Sequence, residues 1–210
     1  MTPHMMRCKF VSYFLITMAL FVAESTAAIG MDGESRVNEF LKVAEELRVR
    51  LRVPGAGVGI VVDNQIQYIG GIGYRDVERR RPVTEDTLFA IGSNTKAFTG
   101  LLVTKLVSEN KLTWDQPVAT YVPDLALSDP YVAEHVNLAD ACSHMTGLAR
   151  RDGLWKGKSI TRREVFDQVK SIPFEFSLRQ SFHYNNHMYV VVGRAIECTS
   201  NMSWENCVRN

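Results

Sequence analysis

The stretch Phe89-Ala90-Ile91-Gly92-Ser93-Asn94-Thr95-Lys96, continued by Ala97-Phe98-Thr99-Gly100-Leu101-Leu102-Val103, decides how the chain is read. An apolar run turns through a glycine, presents a serine and enters a segment of helical periodicity. Ser93, Asn94 and Thr95 all suit a helix start. Lys96 lies three residues after Ser93, so on a helix both side chains rise from one face and one can take a proton from the other. Backbone N–H groups are free at a helix start, and the positive end of the dipole favours an alkoxide or oxyanion. These are the ingredients of nucleophilic acyl transfer. A second serine–lysine pair at this spacing, Ser108 and Lys111, falls at the end of the same predicted helix, where the dipole has the wrong sign. It reads as solvated surface.

A chain of 210 residues fits one ordinary domain, or a domain and a fragment. The net charge of +1 gives no electrostatic signal for nucleic acid, and no basic patch is interleaved with aromatics. At the start, Arg7 and Lys9 precede the apolar run from Phe10 to Ala23, too short to span a bilayer comfortably, and Glu24-Ser25-Thr26-Ala27-Ala28 follows. A positive start, a short apolar stretch and small residues at its end read as a secretory signal peptide over 1–28, cleaved after Ala27 or Ala28. The alternatives are an uncleaved signal that anchors the chain in a membrane, or an organelle transit peptide, which Glu24 and the few arginines disfavour. Cys8 leaves with such a leader, and Cys142, Cys198 and Cys207 remain, an odd number that implies a free thiol or an outside partner. Whether Cys198 pairs with Cys207 is left open. Asn201-Met202-Ser203 is a glycosylation sequon that has meaning only in the secretory pathway.

Along the chain, apolar residues at helical spacing predict an amphipathic helix from Ser35, its expected N-cap, to Leu51, ended by Pro54-Gly55. Two β-rich runs, Ala56 to Val62 and Gln65 to Gly73, flank Asp63-Asn64 and read as a hairpin. Their glycines indicate close packing or bulges; they form no phosphate loop, since no G-x-G-x-x-G opens a helix. Tyr74 to Arg81 reads as a polar, basic surface loop. A helix runs from Ser93 to about Glu109, and Lys111 to Val118 turns into a short helical segment. Cys142-Ser143-His144 invites a Cys–His or Ser–His reading, but neighbours in sequence need not face each other. His144 therefore reads as structural, with Gly147 marking a helix end. Thr161 to Val169 is a helix with a capping box from Thr161 to Glu164. His183 and His187 stand astride an expected turn into the buried-looking helix Val190 to Ile196, so they are not read as a metal pair, and no metal site is expected.

Taken in order, these pieces resemble the serine β-lactamase and penicillin-binding-protein superfamily, particularly its class C β-lactamase-related branch. Thr87 to Lys96 looks like the family's S-x-x-K region. Pro54-Gly55 and the hairpin look like its opening strands, and Lys111-Leu112 to Tyr121-Val122-Pro123 like the segment after its first helix. Ser143-His144-Met145-Thr146-Gly147-Leu148 is similar to its S-H-T-S-G-L stretch, and Tyr184-Asn185-Asn186 to its Y-x-N motif. The resemblance spans roughly residues 50 to 205. It implies an α+β, β-lactamase/transpeptidase-like fold: an antiparallel sheet flanked by helices plus an all-helical subdomain, with only the N-terminal part present in residues 29–210. It also implies a serine hydrolase of amide or ester bonds that works through an acyl-Ser93 intermediate, on a small-molecule or peptide substrate and without a cofactor. By the same resemblance Ser93 is the nucleophile, Lys96 removes its proton or holds it in place, and Tyr184 is the second base and the acid for the leaving group. Asn186 binds Lys96 and the substrate amide, and the Ser93 backbone N–H is half of the oxyanion hole.

Three departures qualify these expectations. A Lys/His-Thr/Ser-Gly segment on a core strand, which in the family supplies the second oxyanion N–H, is absent from the sequence. Ser177-Leu178-Arg179-Gln180 stands where a Pro-Gly turn is usual, which puts the local turn in doubt. Asp140-Ala141 replaces leucines, which reduces apolar packing. Loss of one oxyanion donor typically costs about a hundred- to a thousand-fold in rate. The expectation is therefore that this chain alone is inactive, or nearly so, as a partial or truncated form of a hydrolase. The alternative is a non-catalytic secreted binding protein, or a truncated isoform that associates with a full-length relative.

Overall fold

The computed structural model describes residues 33–210, and the expected signal peptide over 1–28 lies outside the described residues. The chain divides into two compact units, one ending at Ala90 and one running from Ile91 to Asn210. The first pairs a helix with an antiparallel sheet and the second is built from helices and helical turns, so the fold is α+β, as expected.

In the first unit, helix α1 (Gly33–Arg50) packs on the sheet. Its half-buried residues Val37, Phe40, Leu41, Ala44 and Leu47 follow the i, i+3, i+4, i+7 stripe that a helix lays on one neighbour. The helix is already formed at Gly33, so Ser35 lies inside its first turn and is not the N-cap. Strands β1 (Gly55–Val62) and β2 (Gln65–Asp76) pair antiparallel with Val62 opposite Gln65. Asp63 and Asn64 both take left-handed backbone angles, φ 49° and 60°, as a two-residue turn matched to strand twist requires. Of Tyr74 to Arg81, residues 77–80 form an exposed turn and the remainder is strand. Strand β2 continues to Asp76 and pairs with β3 (Arg81–Pro82), giving the sheet order β1-β2-β3. The Asp76 carboxylate holds that second turn by accepting from the Arg79 backbone N–H at 2.9 Å and its guanidinium at 3.0 Å. Periodicity does not reveal a pairing so short.

In the second unit the serine stretch enters α2 (Thr95–Ser108), and α3 (Pro130–His135), α4 (Leu138–Cys142), α5 (Arg162–Gln168), α6 (Asn186–Ser200) and α7 (Trp204–Arg209) follow. Helix α6 packs on α2, α4, α5 and α7 and is apolar enough to be buried along most of its length. Its Met188, Val191, Val192, Ala195 and Ile196 join Val103 and Leu106 of α2, Leu138 of α4 and Phe166 of α5 in one core. Side-chain caps close the starts of α3 to α7. Asn137 with Asp140 and Thr161 with Glu164 form reciprocal capping boxes, and Asn185 and Ser203 accept from the first turns of α6 and α7. Each such cap stabilises its helix by roughly 1 kcal/mol.

Helix α6 begins at Asn186, not near Val190, because the Asn185 side chain accepts from the Met188 N–H at 3.0 Å. His187 therefore lies in the first helical turn and is fully buried, and neither ring nitrogen finds a hydrogen-bond partner among the described residues. Burial pushes its titration below the ordinary histidine value, with the Asp152 charge opposing only in part. Unfolded imidazoles take a proton near pH 6.5. Below that pH the unfolded chain binds more protons than the folded one, so stability falls as pH falls. Urea unfolding should show a midpoint that declines from about pH 6.5 to 5, less steeply in His187→Leu. A wild-type slope in that variant would contradict the assignment.

Candidate active site

Gly92, at φ 53°, turns the chain through a conformation that side chains disfavour, and Ser93 follows it in a single 3-10 turn over Gly92–Asn94. Helix α2 proper starts at Thr95 with Asn94 as its N-cap, so Ser93 lies exposed in the 3-10 turn that leads into the regular helix. Lys96 lies in the first turn of α2 with its Nζ 3.4 Å from Ser93 Oγ. The packing of α2 against α6 brings Asn186, the first residue of α6, to the same place, where its Oδ1 accepts from Lys96 Nζ at 2.6 Å. Tyr184 completes the group, with its hydroxyl 2.6 Å from Ser93 Oγ.

Tyr184 is positioned by two segments that run side by side. Residues 144–149 and 173–185 exchange backbone hydrogen bonds: Ala149 N–H donates to Pro173 at 2.9 Å, Arg179 N–H to Met145 at 2.7 Å, and His183 N–H to His144 at 2.8 Å. Gly147 is no helix end, since α4 stops at Cys142; a Cβ there would lie 2.1 Å from the Phe176 carbonyl oxygen. The glycine allows the two segments to close. His144 accepts the Asn185 N–H on Nδ1 at 3.1 Å and lays its ring against Tyr184, with centroids 4.5 Å apart. Buried and pushed below its ordinary titration by burial and by the Lys96 charge, it pins the backbone on either side of Tyr184. Cys142 is not a poised nucleophile, because burial pushes its thiol up to about 11.

The electrostatics favour an ionisable Tyr184. Burial alone would raise its titration, but hydrogen bonds from Lys96 and Ser93 and the charges of Lys96 and Arg150 outweigh burial, and the net direction is down. Lys96 Nζ stands 4.8 Å from the Tyr184 ring centroid and 5.0 Å from that of Tyr189. Tyr189 moves the other way, pushed up to about 12 chiefly by burial, and its hydroxyl donates to the Cys142 carbonyl. Of two tyrosines beside one ammonium, Tyr184 is shifted toward losing its proton and Tyr189 away from it.

The structure adds two residues that nothing in the sequence singled out. Asp152 Oδ1 accepts from Asn186 Nδ2 at 3.0 Å, and Asp152 Oδ2 accepts from Arg150 at 2.7 and 2.8 Å. Burial alone would raise the Asp152 carboxyl, but the hydrogen bonds from Asn186 and Arg150 hold it below the usual carboxylate value. Beside Lys96, a cavity of about 180 Å³ is lined by Thr95, Thr99, Tyr189, Gly193 and Trp204.

An α+β chain that sets a serine and a lysine at a helix start against a tyrosine and an asparagine falls within the penicillin-binding-protein/β-lactamase superfamily. It aligns with the octameric penicillin-binding protein homologue of Pyrococcus abyssi over 82% of this chain and 41% of that one, at 30% identity and a TM-score of 0.72. The D-amino acid amidase of Ochrobactrum anthropi SV3 shares the fold, with a TM-score of 0.70 at 23% identity over 82% of this chain and 48% of that one. The β-lactamase family model matches residues 39–210, and the chain belongs to that family. Among curated relatives, the unguisins hydrolase ungD' of Aspergillus campestris is 30% identical over 174 residues, which is 79% of this chain and 32% of the relative. The chain spans about a third of the length of the curated relatives it matches, 30% to 34%.

Proposed function

We propose that this chain carries the acylation machinery of a serine hydrolase, of the class C-related branch, that cleaves amide or ester bonds in small-molecule or peptide substrates through an acyl-Ser93 intermediate. The observation that carries this reading is the 2.6 Å contact between Tyr184 Oη and Ser93 Oγ beneath the Lys96 ammonium. Tyr184, its phenolate favoured by the neighbouring positive charges, takes the Ser93 proton as Oγ attacks the substrate carbonyl. The same proton then passes from Tyr184 to the leaving nitrogen or oxygen as the tetrahedral intermediate collapses. Water reverses the sequence: it gives a proton to Tyr184 as it attacks the acyl carbonyl, and Tyr184 returns that proton to Ser93 Oγ as the acyl–oxygen bond breaks. Lys96 holds Oγ and the phenolate by charge, and Asn186 keeps Lys96 in place and offers its second Nδ2 proton to a substrate carbonyl. The Ser93 backbone N–H, at the positive end of α2, donates to the oxyanion. The relationship to a curated protein named as a hydrolase supports the reaction class.

Residues 1–28 are proposed as a leader that directs the protein to the secretory pathway. Phe98 and Leu101, 45% and 65% exposed on α2, support a second reading in which this chain associates with a full-length relative that covers them. Hydrolysis of p-nitrophenyl acetate by the full chain tests the first reading. The chain alone is expected to turn over at or barely above the buffer rate; clear turnover that Ser93→Ala abolishes would support the acyl-Ser93 reading and overturn that expected inactivity, and equal rates in both proteins would favour the binding role.

A further inference from the structure

The Asn186 carboxamide has an acceptor end and a donor end of nearly the same shape, and its value to Lys96 depends on which end faces the ammonium. Oδ1 accepts from Lys96 Nζ at 2.6 Å while Nδ2 donates to Asp152 Oδ1 at 3.0 Å. We propose that Asp152, held by Arg150, is a positioning residue that locks the Asn186 carboxamide so that its oxygen holds Lys96 beside Ser93.

An ammonium only donates and a carboxylate only accepts. The amide bridges the two with both contacts favourable; rotated by half a turn, it would set N–H against N–H and oxygen against oxygen. One orientation therefore satisfies both ends, and the other satisfies neither. Lys96 alone would bias the amide, and Asp152 makes the bias two-sided. Asp152 is itself fixed, because Nε and Nη2 of Arg150 both reach its Oδ2, at 2.8 and 2.7 Å. Its side chain is 19% exposed while that of Arg150 is 52% exposed, so the carboxylate is the sheltered member of the pair. Arg150 also places its guanidinium carbon 5.1 Å from the Tyr184 ring centroid. The short turn 150–152 thus touches both groups that α6 and its leading segment bring to Ser93. Asp152 makes no hydrogen bond with Ser93 or Tyr184, which separates a positioning role from a catalytic one.

The inference rests on the acyl-Ser93 reading where it concerns rate, and it has a second readout that does not. The experiment compares the full chain with Asp152→Asn, which keeps the shape, and Asp152→Leu, which removes every acceptor. The rate probe is a fluorophosphonate that reacts at Ser93. Its maximal labelling rate should fall about ten- to a hundred-fold in Asp152→Leu, the size of one charge-assisted hydrogen bond, and less in Asp152→Asn. The probe concentration at half-maximal rate should be unchanged. A merely structural residue would lower the folded fraction and leave the rate per folded molecule as in wild type. The second readout is the pair of Asn186 side-chain NH₂ proton resonances, identified by their loss in Asn186→Asp. In wild type the proton aimed at the carboxylate should lie well downfield of its partner, and in Asp152→Leu the two should draw together. Wild-type labelling kinetics in Asp152→Leu, or an Asn186 proton pair that ignores both substitutions, would overturn the proposal. Should the wild-type protein fail to label at all, the acyl-Ser93 reading falls, and the proton pair still decides the lock.

Discussion

Lys96→Met should slow acylation of Ser93 on the order of 10²–10⁴-fold, the range for loss of a group that assists proton transfer. Methionine keeps the length and apolar stem of lysine and removes its charge and donors. The substitution leaves Asn186 Oδ1 without its 2.6 Å donor and takes the ammonium from 4.8 Å above the Tyr184 ring. Burial raises the Tyr184 titration and Lys96 is foremost among the groups that lower it, so without Lys96 the hydroxyl titrates at higher pH. In the mechanism we propose, the phenolate accepts the Ser93 proton, so the labelling rate should climb with pH through the Tyr184 titration. That limb should move to higher pH in Lys96→Met, and saturation at the wild-type pH would mean that Tyr184 is not the base. Tyr184→Phe should remove the limb altogether.

A large effect on stability is expected at Asp140, where Asp140→Ala should cost about 2–4 kcal/mol. The carboxylate does two things at once. It closes the α4 capping box by accepting the Asn137 N–H at 3.1 Å, and it receives Arg179 on both oxygens at 2.9 Å. A lost cap costs roughly 1 kcal/mol. The ion pair lies between the surface and buried limits, about 0–1 kcal/mol for exposed pairs and 3–5 for a buried pair broken on one side, because Asp140 is 9% exposed and Arg179 52%. Arg179 adopts φ 64°, a left-handed conformation disfavoured for arginine by about 1 kcal/mol. Arg179→Gly should therefore cost less than Arg179→Ala by about that amount, since glycine is at ease there. Urea denaturation of the single and double variants measures both effects. Additive losses for Asp140→Ala and Arg179→Ala would show that the pair contributes nothing.

This pair also shows what the sequence could and could not convey. Asp140 and Arg179 are read separately as departures from the family pattern, one as a loss of apolar packing and the other as a doubtful turn. In the structure each is the other's partner, and a separation of 39 positions hides that from any local reading. Where the determining interaction is local, the sequence reading holds. Asp63-Asn64 fixes the first hairpin, and the capping box from Thr161 to Glu164 opens α5, because turn and cap chemistry act over two to four residues. The second hairpin at Arg81-Pro82 and the start of α6 at Asn186 are missed, because a two-residue strand has no periodicity and a polar cap conceals the apolar helix behind it. The same division runs through the site. Ser93 and Lys96 are legible from their spacing. Tyr184 and Asn186 enter only through the resemblance of an ordered set of motifs. Asp152, one carboxylate among many, is visible only once α6 and the 147–152 segment stand together.

Acyl transfer by this chain requires that Ser93 be a nucleophile. The most direct measurement is mass spectrometry of the full chain after exposure to a fluorophosphonate, followed by peptide mapping of the adduct. One equivalent of label on the peptide that contains Ser93, absent from Ser93→Ala and strongly reduced in Lys96→Met, is the result expected. A folded protein that remains unlabelled, or carries the label on another residue, would contradict it.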